Sequence, residues 1–264
     1  MDSNPPIAKK FLLKLLSVVD QGTLDITLAI KAGSVFDITP NNIRVAINRL
    51  HGSELIEPIS RGVYQLSSKG KILRDEVSSW HKAEDLTNHW DNSWLAVLTS
   101  KIDKSNRTNL RNTNRAFALI GMKELYPDLY IRPNNINLKI DGIRNKLLSL
   151  GADANIVMFQ AIAFENFDIS SAKDLWNTYE IDKSYAVQTQ ILNESLSKLK
   201  ELPLKKAAQE TYILGDSAIT KIIFDPLLPP PLISAQSRIE FRKTLIEYDK
   251  IGHEIWKEFL RSSI

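Results

Sequence analysis

Cysteine is absent from this chain of 264 residues. Disulfides, thiolate zinc sites and Cys nucleophiles are therefore excluded, and a reducing compartment is consistent with the composition. Histidine is scarce, with four in all. His51 and His253 stand alone, and His81 and His89 lie two helical turns apart, too far to chelate one ion together. No Ser-His-Asp order, Gly-rich phosphate loop or HExxH motif occurs, so neither catalysis nor a cofactor nor a metal is expected. A long apolar run is missing too. The nearest to one, ANIVMFQAIAF at 154–164, falls well short of the roughly 20 residues that span a bilayer, and reads as a buried strand. MDSNPP, at the start, has an acid and two prolines where a signal peptide needs basic residues and then an apolar stretch, so the chain is expected to be cytoplasmic, with no membrane partner. Strong net charge is lacking as well: +3 overall with a pI near 8.9 means that any nucleic-acid surface must be a local patch.

What is present reads as α+β in three parts. Pro5 and Pro6 suit a helix start, and Ile7, Phe11, Leu15 and Val18 recur at helical spacing. Gly22 breaks that helix, and LDITLAIKAG predicts a second ending near Gly33. Thr39 is a good N-cap with Pro40 at the first helical position, which predicts a third helix from Pro40 to Ser53. Around Ser60, Arg61 and Gly62 two short apolar pieces predict a hairpin, and Ser67 can cap an exit helix. Three helices, a hairpin and an exit helix describe a winged helix-turn-helix over 1–70, with a linker helix over 71–89. WLAVLT, SNRTNLRNTNRAFALIGM, DLYIRP, DGIRNKLLSLG and NIVMFQAIAF then alternate strand and helix, the first helix opened by Ser105 and the second closed by Gly151. With room for a further strand, this predicts a ferredoxin-like central domain over 90–167. Residues 168–264 read as a helical domain interrupted by DPLLPPPLI, and no internal repeat is present.

The third helix carries the chemistry. Ile43, Ala46, Ile47 and Leu50 form its apolar face, leaving Asn41, Arg44, Val45 and Asn48 together on another. Asn pairs bidentately with adenine, Arg with guanine, and either holds a phosphate. Over residues 38–71 five cations (Arg44, Arg49, Arg61, Lys69, Lys71) face only Glu54 and Glu57, a local excess equal to the net charge of the whole chain. The expected DNA-binding residues are Thr39, Asn41, Asn42, Arg44, Asn48, Arg49, Arg61 and Lys69. The bland alternative is a solvated helical face used for protein contacts. Arg107, Arg111 and Arg115 recur every four residues and line one face of a later helix, where they hold either DNA backbone phosphate or the diphosphate of a nucleotide-like ligand, or are simply solvated. Trp90 and Trp94, with Trp176 and Tyr179, either line a pocket for a flat apolar group or pack in a core.

In the third helix, Ile43-Arg44 with Ile47-Asn48-Arg49-Leu50 is similar to a V-R-x-x-L-S-R-L run, and Gly62-Val63-Tyr64-Gln65-Leu66 followed by Gly70 to G-x-Y-x-L-T-x-x-G. Trp90-Asp91 with Trp94, Gly121-Met122, Leu129-Tyr130-Ile131-Arg132-Pro133, and Asp225-Pro226 with Leu228-Pro229 and Leu232 follow in the same order. Together, over nearly the full length, they resemble the PaaX family of bacterial transcriptional repressors, of phenylacetyl-CoA-responsive type. The resemblance implies a homodimer with an amino-terminal winged helix, a central domain like that of small CRISPR-associated ribonucleases, and a helical carboxyl-terminal domain used in dimerisation. It also implies repression relieved by an aryl-CoA thioester. The family's His and paired Arg before the D-P motif are replaced here by Ser217, Thr220 and Lys221, and its W-P-G by Ser234-Ala235-Gln236-Ser237. An acyl-CoA or other acid is the expected effector, phenylacetyl-CoA itself is not, and a constitutive DNA binder without effector is the alternative. A metal-dependent nuclease on the central domain is the enzymatic rival, but after the first strand only Asp103 is at hand as a carboxylate ligand.

Overall fold

The computed structural model describes residues 7–18, 22–78 and 87–262. It is an α+β chain with two antiparallel sheets, and it divides into two compact units. One comprises Met1–Ser79, Ile191–Ser217 and Thr244–Ile264, the other Trp80–Gln190 and Ala218–Lys243. The helices after residue 168 thus contribute to both.

In the first unit the elements run α1 (Ala8–Val18), β1 (Thr23–Asp25), α2 (Ile26–Gly33), a 3-10 turn at Ser34–Phe36, α3 (Pro40–Gly52), β2 (Ile56–Ser60), β3 (Val63–Leu66) and α4 (Ser68–Ser78). Local chemistry places most of these boundaries. The Asp25 carboxylate accepts the Thr27 amide at 2.6 Å and starts α2; the Thr39 hydroxyl accepts the Asn42 amide at 3.3 Å and starts α3. A Cβ on Gly33 would sit 2.9 Å from Cδ1 of Ile43, so glycine here lets α2 lie close against α3. The Ser67 hydroxyl accepts the Gly70 amide at 3.1 Å, capping α4 as expected. Ile43, Ala46, Ile47 and Leu50 are all buried, as the spacing predicts, with Phe11, Leu12, Leu15 and Leu16 from α1. Phe11 packs edge-on against Phe36 and Tyr212, so α9 (Leu204–Ile223) closes this core together with Trp256, Phe259 and Leu260 of α10 (Ala235–Arg261). One strand was not foreseen. Thr23–Asp25, of which Leu24 and Asp25 were expected in the second helix, pairs antiparallel with β3 and makes a sheet of order β1-β3-β2.

The second unit holds β4 (Trp94–Leu98), α5 (Arg107–Leu119), β5 (Lys123–Tyr126), β6 (Leu129–Pro133), α6 (Ile140–Ser149) and β7 (Val157–Ala161) in a sheet of order β5-β6-β4-β7. Every neighbouring pair is antiparallel. Strand alternation sends Leu95 and Val97 to the side where Ala116, Phe117, Ile143 and Leu147 of α5 and α6 pack. β5 supplies the further strand for which the sequence left room. Helix α5 is capped by Asn106, whose side chain accepts the Asn109 amide, and not by Ser105, whose amide and hydroxyl both donate to Asp103. The stretch 154–164 is not a buried strand. It pairs with β4 alone, at the sheet edge, so Val157 and Phe159 are exposed and Ile162 is 87% exposed.

Beyond β7 come α7 (Ile169–Trp176) and α8 (Thr178–Lys198), separated by Asn177 in the left-handed region at φ 49°. Of the expected linker helix, residues 79–86 lie outside the described residues, as does His81. Its far end is extended instead: Thr87 bridges to Ile136, and the Asn88 amide donates to the Asn135 carbonyl at 2.7 Å. Among the described residues no helix is long and apolar enough to cross a membrane.

Candidate nucleic-acid interface

Helix α3 turns its apolar stripe inward and presents Thr39, Asn41, Asn42, Arg44, Val45, Asn48 and Arg49 to solvent. Thr39 itself is spent on capping. The physical cause is helical period: with Ile43, Ala46, Ile47 and Leu50 committed to the core, the i, i+3 and i+7 series Asn41, Arg44, Asn48 has only the outer face left. Among the described residues no ion pair joins Arg44, Arg49 or Arg61, so all three guanidiniums keep their donor sets for an outside acceptor. Lys69 is different, since it reaches Glu54 at 3.5 Å in an exposed pair. Such pairs contribute about 0–1 kcal/mol and give way readily to a stronger anion.

The β2-β3 hairpin carries Arg61 at its tip, exposed, with Gly62 at φ 79° closing the turn. The register shifts between Pro58 and Ser60, and Ile59, within that irregularity, is half exposed. An apolar side chain beside an arginine on a projecting hairpin suits a groove edge. Alongside α3 lies a cleft of about 390 Å³ lined by Lys9, Phe36, Asp37, Asn42, Val45 and Arg49 among others. Lys9, which the sequence did not single out, therefore stands beside the expected site; its position depends on α1 crossing α3, which no local signal reveals.

In the second unit Arg107, Arg111 and Arg115 are exposed along α5, as their spacing predicts. Trp90 and Trp94 are buried. Trp90 donates its Nε1 proton to the Ser93 carbonyl at 2.6 Å and meets Trp94 edge-on at 5.1 Å; Trp94 in turn stacks on Trp176 at 6.0 Å and meets Phe167. Leu95 and Val97 face α5, so alternation aims Trp94 to the opposite side of the sheet. The arginines and the tryptophans therefore do not share one ligand site, and the tryptophans form an aromatic core.

The same unit hides a polar network that composition did not reveal. Arg132, 1% exposed, donates from Nε to the Pro133 carbonyl at 3.0 Å, from one terminal nitrogen to the Ile120 carbonyl and from the other to Oδ1 of Asn135 at 2.8 Å. Asn135 donates onward to the Leu227 carbonyl at 2.8 Å. Asp225 accepts the Leu227 amide at 2.8 Å and faces Arg238 at 3.9 Å, and Arg238 donates to the Leu228 carbonyl. Burial pushes the Asp225 carboxyl above its ordinary pKa, against the pull of Arg238, and it lowers that of Arg132. These groups fasten the proline-rich segment in place. Asp103 is fully exposed, its carboxyl held below the ordinary value by the Ser105 hydroxyl and amide, and among the described residues no group of three or more His, Asp or Glu could hold a metal ion.

No family model matches the chain, and no curated protein matches it. Its fold is similar to that of a solved structure, the uncharacterized protein Rv0674 from Mycobacterium tuberculosis, with a TM-score of 0.67 and 16% identity over 96% of this chain and 98% of that one. At that identity the likeness speaks for the fold alone.

Proposed function

We propose that the chain is a sequence-specific DNA-binding transcription regulator of the PaaX-like kind, a homodimeric repressor released from its operator by a small acidic ligand such as an acyl-CoA thioester. The observation that carries this reading is the outer face of α3. Asn41, Arg44 and Asn48 are solvent-facing, the arginines lack intramolecular ion pairs among the described residues, and a hairpin tipped by Arg61 follows directly. Three helices and an antiparallel hairpin support a winged helix-turn-helix with α3 as its recognition helix. Strand order β5-β6-β4-β7, with α5 and α6 each leading to a strand two places away, supports a ferredoxin-like second domain. The helical remainder would serve dimerisation and effector binding.

In this reading Arg44, Asn41 and Asn48 meet base edges, while Arg49, Arg61 and, once freed from Glu54, Lys69 hold phosphates. Ligand binding favours a dimer whose recognition helices no longer stand about one DNA turn apart, roughly 34 Å, and affinity falls. The test is fluorescence anisotropy on the gene's own upstream duplex against a scrambled one, at near-physiological salt, with and without a panel of CoA thioesters. Tight binding to the native duplex alone, weakened by one thioester, is expected. Equal weak binding to both duplexes would remove that site as an operator, and native binding indifferent to every acid tested would leave a constitutive binder.

A further inference from the structure

We infer that α5 is a second phosphate-binding surface, on which Arg107, Arg111 and Arg115 grip the sugar-phosphate backbone of duplex DNA without reading its sequence. This rests on the DNA-binding reading above and extends it to the second unit.

Helix α5 reads RTNLRNTNRAFAL and contains no acid. Ala116 and Phe117 fix its inward face, so the arginine row must point out, and all three side chains are exposed. Three carboxylates of the same unit have hydrogen-bond or ion-pair partners of their own. Asp103 accepts from the Ser105 amide at 2.9 Å and its hydroxyl at 2.7 Å. Asp153 takes Nδ2 of Asn109 and the Asn155 amide, and Asp128 takes Lys104 at 2.7 Å. Among the described residues no ion pair neutralises any of the three arginines. An un-neutralised row of guanidiniums, each a planar fork of donors, wants an array of phosphates.

Spacing decides which phosphates. Arginines four residues apart are separated by roughly 6 Å along the axis, so the row extends about 12 Å. The phosphates of a single diphosphate share one bridging oxygen and lie closer together than adjacent arginines of the row, whose outer members would have to bend inward to share them. A DNA strand offers a phosphate for about every 3.4 Å of its axis, wound around that axis so that neighbours stand roughly twice as far apart through space, and arginines about 6 Å apart therefore match them one to one. The polymer uses all three arginines.

The experiment measures log Kobs against log salt for the full chain on a duplex, comparing wild type with Arg107→Gln/Arg111→Gln/Arg115→Gln and with the triple Lys variant, after circular dichroism has shown that all three melt alike. The expected result is a slope shallower by about 2.7 for the Gln variant, about 0.9 per lost phosphate contact, with the slope retained by Lys. An unchanged slope in a Gln variant that still binds overturns the α5 proposal and leaves the α3 reading standing. A wild-type chain that binds native and scrambled duplexes alike overturns sequence reading by α3, while the slope comparison still judges α5. Calorimetry with coenzyme A distinguishes the other source of phosphate: if the Gln variant loses coenzyme A binding with its DNA slope intact, the row is a nucleotide site and the proposal falls.

Discussion

The exposed arginines of the first unit and a buried one of the second live opposite lives. Arg44, Arg49 and Arg61 stand in solvent with no ion pair among the described residues, whereas Arg132 is sealed in the second unit, each of its three guanidinium nitrogens donating to a carbonyl or to Asn135. The residue type is the same and the consequence differs. A buried guanidinium has lost its hydration and must be repaid by fixed acceptors, so it staples segments together and contributes to stability. An exposed one keeps its water and its donors until an anion arrives, so it contributes to binding and little to folding.

The sharpest way to break this comparison is Arg132→Met. It orphans the Ile120 and Pro133 carbonyls and Asn135, and is expected to cost about 3–5 kcal/mol in denaturant melts of the full chain. A loss below 1 kcal/mol would show that the network is not a staple.

On the exposed side, Arg44→Ala is expected to cost about 1–3 kcal/mol on the native duplex, much less on random DNA, and to leave the melt within about 0.5 kcal/mol of wild type. Equal losses on both duplexes would remove Arg44 from base reading. Arg49→Ala should instead weaken both duplexes alike and flatten the salt slope by about 1.

An intermediate case sharpens the boundary. Asp216 is half-buried and bridges Lys10 at 2.8 Å and Lys14 at 2.7 Å. Burial alone would raise its carboxyl, but Lys14 and Lys10 outweigh that and hold it below the ordinary value of 3.8. A carboxyl depressed in the folded state contributes stability that is present above the unfolded value and is lost as pH falls through the lowered one. Asp216→Asn should therefore cost about 1 kcal/mol near neutral pH and nothing once the pH is well below 3.8. A difference that stays constant from pH 7 to the acid limit would mean that packing, not charge, is what the substitution disturbs.

How much of this was legible beforehand follows from the range of the forces. Thr39, Pro40 and the Ile43-Ala46-Ile47-Leu50 stripe announce α3 and its outer face within a dozen residues, and the structure keeps both. β1 was misassigned because a three-residue strand has no period of its own and exists only through its pairing with β3. The run at 154–164 was read as buried from apolarity alone, yet exposure there depends on β7 having a single neighbour. Trp90 and Trp94 looked equally able to line a pocket or a core, and the alternation of β4 against Trp176 and Phe167 put them in a core.

The sequence by itself determined that thiol chemistry is absent, that α3 starts at its Thr39 cap, and which side chains α3 and α5 turn outward, because each of the latter depends on contacts within about four residues along the chain. Only the tertiary structure decided which arginine is buried, which strand forms an edge, and that Asn135 reaches the Leu227 carbonyl 92 residues away. Those outcomes are matters of partnership between distant segments, and burial, which sets the cost of every charge, is a property of the partners and not of the residue.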